Sequence, residues 1–171
     1  EVEAKGRKAV AIAADLADAG AVGRLIQDLR QNAPELSLLV NNAGAQRLTE
    51  FVTEEFEATG SETEREIAVN LIAPVLLCKG LLPVLARQKQ AAIVNVTTGL
   101  VLAPKMSAPV YCATKAGLSA FSRSLRYQCQ AGAPHGRIVE ALPPVVDTDM
   151  TRFAFSERQR VFDPDAIARS G

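Results

Sequence analysis

Apolar residues along this chain fall into two alternating spacings. Short continuous apolar runs, the kind that fill a buried strand, are followed by stretches in which apolar positions recur every three or four residues. The first run is Ala9-Val10-Ala11-Ile12-Ala13-Ala14, closed by Asp15. A helix is predicted after it, with Asp18 as N-cap and Val22, Leu25, Ile26 and Leu29 on one face. Pro34 ends that region. A second strand is predicted at 36–40, running into the turn-forming Asn41-Asn42-Ala43-Gly44. A long helix follows over about 64–86, with Ile67, Leu71, Val75, Cys78, Leu82 and Leu85 as its stripe. Pro74 and Pro83 are expected to bend or interrupt it, because each removes a backbone donor. The third strand is predicted at 92–96, and a loop with Gly99 and Pro104 leads into a helix over about 110–131. There Leu118, Phe121, Leu125 and Cys129 form the apolar stripe. A fourth strand at 137–142 is stopped by Pro143-Pro144, and the tail beyond Asp149 is polar.

Strands alternating with helices predict an α/β fold around a parallel sheet. Ligands of such sheets bind beyond the carboxyl ends of the strands. That rule gathers Asp15 and residues 41–44, 97–99 and 143–148 onto one rim.

Composition narrows the reading. The chain has 171 residues, which suits one domain, and 48% of them are hydrophobic, enough for a sizeable core. Nineteen basic residues balance nineteen acidic ones, so nothing marks a nucleic-acid or anionic-membrane surface. The three cysteines, Cys78, Cys112 and Cys129, form no C-x-x-C pair, and free buried thiols in a reducing compartment are expected. His135, the single histidine, sits in a turn-like run, so no metal site is expected. The N-terminus lacks the pattern of a signal peptide, and the apolar stretches read as too short to span a bilayer. A cytoplasmic protein is expected.

The rim carries candidate chemistry. Tyr111 and Lys115 are four residues apart, on the same side of a helix and one turn apart. A phenol ordinarily ionises near pH 10, and a neighbouring ammonium favours the phenolate. A phenol so tuned can exchange a proton with an alcohol or carbonyl oxygen. An ordinary exposed Tyr/Lys pair has the same spacing. Thr98 precedes Tyr111 by 13 positions, just past the third strand. Its hydroxyl can orient a substrate oxygen, or equally cap backbone at the strand end. Asn70 is a polar residue inside an apolar helix, which calls either for a structural hydrogen bond or for a special role.

Taken together, Asn41-Asn42-Ala43-Gly44 after a strand, Asn70 in the next helix, Thr98 and Tyr111-Cys112-Ala113-Thr114-Lys115 resemble the compact branch of the short-chain dehydrogenase/reductase family. The resemblance implies a Rossmann-type, doubly wound parallel sheet binding NAD or NADP, and an alcohol or carbonyl as small-molecule substrate. It implies roles position by position. Tyr111 is the general acid/base; Lys115 lowers its pKa and holds the nicotinamide ribose; Asn70 supports a water-linked proton relay; Thr98 stands where serine is usual. Asp15 and Leu16 contact the adenine, Asn42, Ala43 and Gly44 line the adenosine ribose, and Val146 and Thr148 contact the carboxamide. The family's dimer contacts use the two long helices, so a homodimer or homotetramer is expected.

The sequence departs from the family pattern in three places. Thr98 keeps the hydroxyl but adds a methyl, which stiffens its rotamer. Pro144 replaces a usual glycine, and Pro143-Pro144-x-Val146-Asp147-Thr148 resembles a subgroup associated with teichoic-acid D-alanylation operons. The largest departure is that the family's first two strands and its glycine-rich, pyrophosphate-cradling turn are absent, so the chain is expected to be one partial nucleotide-binding domain. Two functions follow: an oxidoreductase, or a truncated, non-catalytic fragment or subunit that cannot bind the dinucleotide. An isomerase of the extended branch also uses Tyr and Lys, but the Asn-Asn-Ala-Gly turn and the short length argue against it.

Overall fold

The computed structural model describes residues 5–6, 8–52, 61–132 and 136–143. Three strands, β1 (Leu38–Asn41), β2 (Ala91–Val96) and β3 (Gly136–Ala141), form a parallel sheet in that order. Asn41 lies beside Asn95, and Ile93 beside Ile138. The neighbours in the sheet are joined through helices, as parallel pairing requires.

Helix α1 (Ala19–Asn32) starts where Asp18 accepts the Gly20 N–H at 2.7 Å, so the predicted cap is realised. Its Val22 is buried, and Leu25, Ile26 and Leu29 pack on the core. One long helical rod follows: α2 (Ser61–Ile67), a π-helical turn (Ala68–Ile72) and α3 (Ala73–Leu85). Helix α4 (Pro109–Gly132) packs against β3 and the rod. Leu77, Leu81, Leu85, Ile93, Leu125 and Ile138 join these elements in one core. Alternate strand positions point the other way, and Leu38, Val40 and Val139 are exposed. All three cysteines are buried and free.

Several expectations are corrected. Residues 9–14 form no strand, and Val10 is 86% exposed. An extended segment beside no ladder partner leaves its amides to water and gains nothing from an apolar sequence. Leu16, just beyond, does pack on the core.

The stripe of the long rod is the second. Its buried positions are Glu66, Asn70, Ala73, Pro74, Leu77, Cys78, Leu81, Val84 and Leu85, centred one residue before the predicted set. The rod is apolar on most sides, so hydrophobicity alone fixes its phase poorly, and two polar residues face inward. The span Glu62–Leu85 is also long and apolar enough to cross a membrane by length and composition, contrary to the expectation of short apolar stretches. Its buried face is committed to the core described above.

The third concerns the prolines. Pro83 lies inside α3 without breaking it, while Pro74 follows directly on the π turn. The Ala73 N–H donates to the Ala68 carbonyl, so the rod continues across the donor that Pro74 lacks, and its α-helical pattern is interrupted just before Pro74, in line with the expectation there.

Candidate active site

At the carboxyl ends of β1 and β2 the covered side of the sheet is polar. The Asn41 amide donates to Asn95 Oδ1 at 2.8 Å and to Cys78 Sγ at 3.4 Å. The Asn95 amide donates to Ser122 Oγ at 2.8 Å, and the Ser122 hydroxyl donates to the Leu118 carbonyl at 2.7 Å. This chain of side chains ties β1, β2 and α4 together at one level. Burial pushes the Cys78 thiol up to about 11, so it stays protonated there.

Beyond this level the chain leaves β1 through Asn42, Ala43 and Gly44 and meets Asn70. Asn70 is fully buried (0% exposed) at the centre of the π turn. Its Oδ1 accepts the Ala45 N–H at 2.8 Å, and its Nδ2 donates to the Ala45 carbonyl at 2.7 Å. Nδ2 also reaches Thr114 Oγ1 at 3.2 Å. A side-chain amide thus replaces a strand partner for the loop after β1, and links that loop to α4. The polar residue inside an apolar helix finds its hydrogen bonds here.

Lys115 comes from α4 and is 3% exposed. Its Nζ donates to the Val96 carbonyl at the end of β2 at 2.9 Å, and lies 5.8 Å from the centre of the Tyr111 ring. Gly44 approaches Asn70 and Lys115. A Cβ added there would sit 3.4 Å from Asn70 Oδ1 and 3.6 Å from Lys115 Nζ. The loop, the rod and α4 therefore converge on a single spot, with Asn70, Lys115 and Tyr111 around it.

The electrostatics of the pair differ from the sequence expectation. The Tyr111 phenol is held above its ordinary value of 10, by burial first, then by Cys112 and by Glu66. Burial also lowers Lys115 below its ordinary value. The ammonium sits over the ring and is tethered to a strand carbonyl, while loss of water disfavours charge on both groups. Burial therefore acts on the phenol in the direction opposite to the lowering expected from the lysine.

Thr98 caps a 3-10 turn (Gly99–Val101), its Oγ1 accepting the Leu100 N–H at 3.3 Å. The capping role read from the sequence is realised, and the hydroxyl proton is left to donate elsewhere. Asp15 is exposed: it accepts the Ala17 N–H at 3.0 Å and pairs with Arg65 at 3.3 Å, and these contacts hold its carboxyl below the usual value. Asn42 and Ala43 are exposed. Val146 and Thr148 lie outside the described residues.

Sequence reasoning missed Thr114 and Glu66. Thr114 sits inside the Tyr111–Lys115 segment and shares Asn70. Glu66 is 3% exposed, and its Oε1 accepts the Arg47 N–H at 3.4 Å. The available signal was its spacing, one helical turn before Asn70.

A family model described as short chain dehydrogenase matches residues 1–159, and the chain belongs to that family. Among curated relatives, "Uncharacterized oxidoreductase DltE" of Bacillus subtilis is 41% identical over 140 residues, covering 81% of this chain and 53% of the relative. A crystal structure of a metagenomic short-chain oxidoreductase in complex with NADP matches with a TM-score of 0.74 and 26% identity, over 84% of this chain and 62% of that one. A short-chain dehydrogenase/reductase structure from Burkholderia xenovorans matches with a TM-score of 0.78 and 25% identity, over 99% of this chain and 62% of that one. The chain thus spans about half the length of DltE. The fold is that of an incomplete Rossmann-type sheet, as the sequence implied.

Proposed function

We propose that this chain forms one partial nucleotide-binding domain and carries the proton-transfer half of a nicotinamide-dependent oxidoreductase interconverting an alcohol and a carbonyl. The observation that carries the reading is the placement of Lys115 Nζ, 5.8 Å over the Tyr111 ring and fixed by the Val96 carbonyl.

The residues present fit the nicotinamide and ribose end of NAD or NADP. Gly44 leaves room beside Asn70 and Lys115 that a side chain would fill. Lys115 spends one N–H on Val96, and its remaining donors suit ribose hydroxyls. Asn42, Ala43 and Gly44 would line a ribose, Asp15 and Leu16 would meet the adenine, and Val146 and Thr148 the carboxamide. When bound, the nicotinamide supplies or takes the hydride.

Tyr111 Oη gives its proton to the carbonyl oxygen in reduction and takes one from the alcohol in oxidation. A phenol held protonated suits the first direction. The Thr98 hydroxyl steers the substrate oxygen toward Tyr111. Asn70 holds the Ala45 backbone and, with Lys115, supports the route by which Tyr111 recovers its proton. Replacing Tyr111 with Phe in the intact protein, supplied with NADPH or NADH and a carbonyl, is expected to cut turnover roughly 10²–10⁴-fold. Unchanged turnover removes Tyr111 from the reaction.

A second reading, a non-catalytic fragment, is favoured by residues 9–14, which pair with no strand, and by the open sheet face. It expects no nicotinamide binding by this chain alone, and micromolar binding in a calorimetric titration excludes it. The Pro143-Pro144 likeness to the teichoic-acid-associated subgroup belongs to the same proposal, as do a cytoplasmic location and a homodimeric or homotetrameric assembly. The neutral charge balance is the support for an absence of nucleic-acid and membrane partners.

A further inference from the structure

Among the described residues, two side chains bearing a full charge in water are almost wholly buried, Glu66 and Lys115. Lys115 has a place in the site above. Glu66 has none, and burying a carboxyl without a role is costly. Its helical phase puts it on the same face as Asn70, one turn earlier. Helix α2 packs there against α4, which carries Tyr111. From the other side, the loop after β1 reaches Glu66 through the Arg47 N–H at 3.4 Å.

We propose that Glu66 is a positioning residue for Tyr111: it fastens the loop after β1 to the part of the rod that packs on α4, and its charge opposes that of the phenolate. The proposal rests on Tyr111 being the acid/base only for its consequence in turnover. The placement of Glu66 stands independently of it.

Among the described residues, charged and titratable groups reach Glu66 from two sides. The loop contributes Arg47, whose charge favours the carboxylate. Helix α4 contributes Tyr111. Arg65, next to it on α2, turns outward to Asp15. Burial dominates and holds Glu66 above its ordinary value of 4.5. Burial of the phenol and the charge of Glu66 then act on Tyr111 in the same direction. Near the pH at which a phenol ionises, Glu66 is charged and repels the phenolate, which keeps Tyr111 a proton donor.

The test is a phenol titration by ultraviolet absorbance on the intact protein, with Tyr111→Phe identifying which transition belongs to Tyr111. Glu66→Gln removes the charge and keeps an acceptor for the Arg47 N–H. Its Tyr111 transition is expected at lower pH. A Tyr111 transition that stays in place overturns the electrostatic role, whatever Tyr111→Phe does to turnover. Glu66→Leu removes the acceptor as well. Hydrogen exchange is expected to show the Arg47 amide protected in Glu66→Gln and unprotected in Glu66→Leu. Equal protection in both overturns the fastening role. If either variant fails to fold, the unmodified protein decides. Carbon-13 at Tyr111 Cζ is expected to shift as Glu66 titrates on the acid side, and a flat trace there overturns the proposal.

Discussion

On one face of the sheet Leu39, Ile93 and Ile138 lie within the core built by α1, α3 and α4. On the other, Leu38, Val40 and Val139 of the same strands meet water, the first two at 51% and 49% exposure. Residue type does not separate the two sets; what they touch does. The polar groups of the candidate site all draw on the covered side. Asn95 reaches Ser122 of α4, Asn41 reaches Asn95, and Asn70 reaches Thr114. By contrast, residues 8–14, as apolar as any strand, form none. Order in this molecule follows partners more than hydrophobicity.

That contrast can be broken most sharply in the core. Leu81→Ala on the covered side is expected to cost about 2–5 kcal/mol, because it empties a fully buried volume. Val40→Ala on the open side is expected to cost within about 0.5 kcal/mol of nothing in the same urea unfolding experiment. Comparable losses would show that the open face is covered in solution.

Asn70→Ala comes next. It leaves the Ala45 N–H and carbonyl and the Thr114 hydroxyl without this partner, a loss of about 1–3 kcal/mol read by thermal or urea unfolding.

Gly80→Ala tests how closely α1 meets α3. An added Cβ would fall 2.5 Å from Ile26 Cγ2 and 2.8 Å from its Cδ1, so Ile26 must move. Overpacking of about 1–3 kcal/mol, offset by about 1 kcal/mol of helix propensity, predicts a small net loss. Adding Ile26→Val should recover part of it.

The smallest expected effect is on pH. Glu66 is raised on folding, so its contribution to stability is fully present below its unfolded value of 4.5. It is lost as pH rises from there through the folded value. Glu66→Gln should flatten this part of the stability–pH curve.

Much of this was legible in the sequence. The Asp18 cap, the α4 stripe through Leu118 and Cys129, and β2 and β3 lie where local patterns place them, since each pattern meets the partner it implies. The rod's phase was not legible. An apolar helix has several equivalent faces, and the choice among them was made by Asn70 and Glu66, polar residues whose partners lie 25 and 19 positions away. The Tyr111–Lys115 spacing was readable, whereas the sign of its electrostatics depended on burial that no spacing reveals.

The tether between Lys115 and the Val96 carbonyl has one further consequence. A long, flexible ammonium arm normally surrenders about 1.5–2 kcal/mol of rotational freedom when a ligand pins it. Here that immobilisation is already complete once the chain has folded, so under the proposed function a hydroxyl reaching the strand tips would meet a donor already held in place.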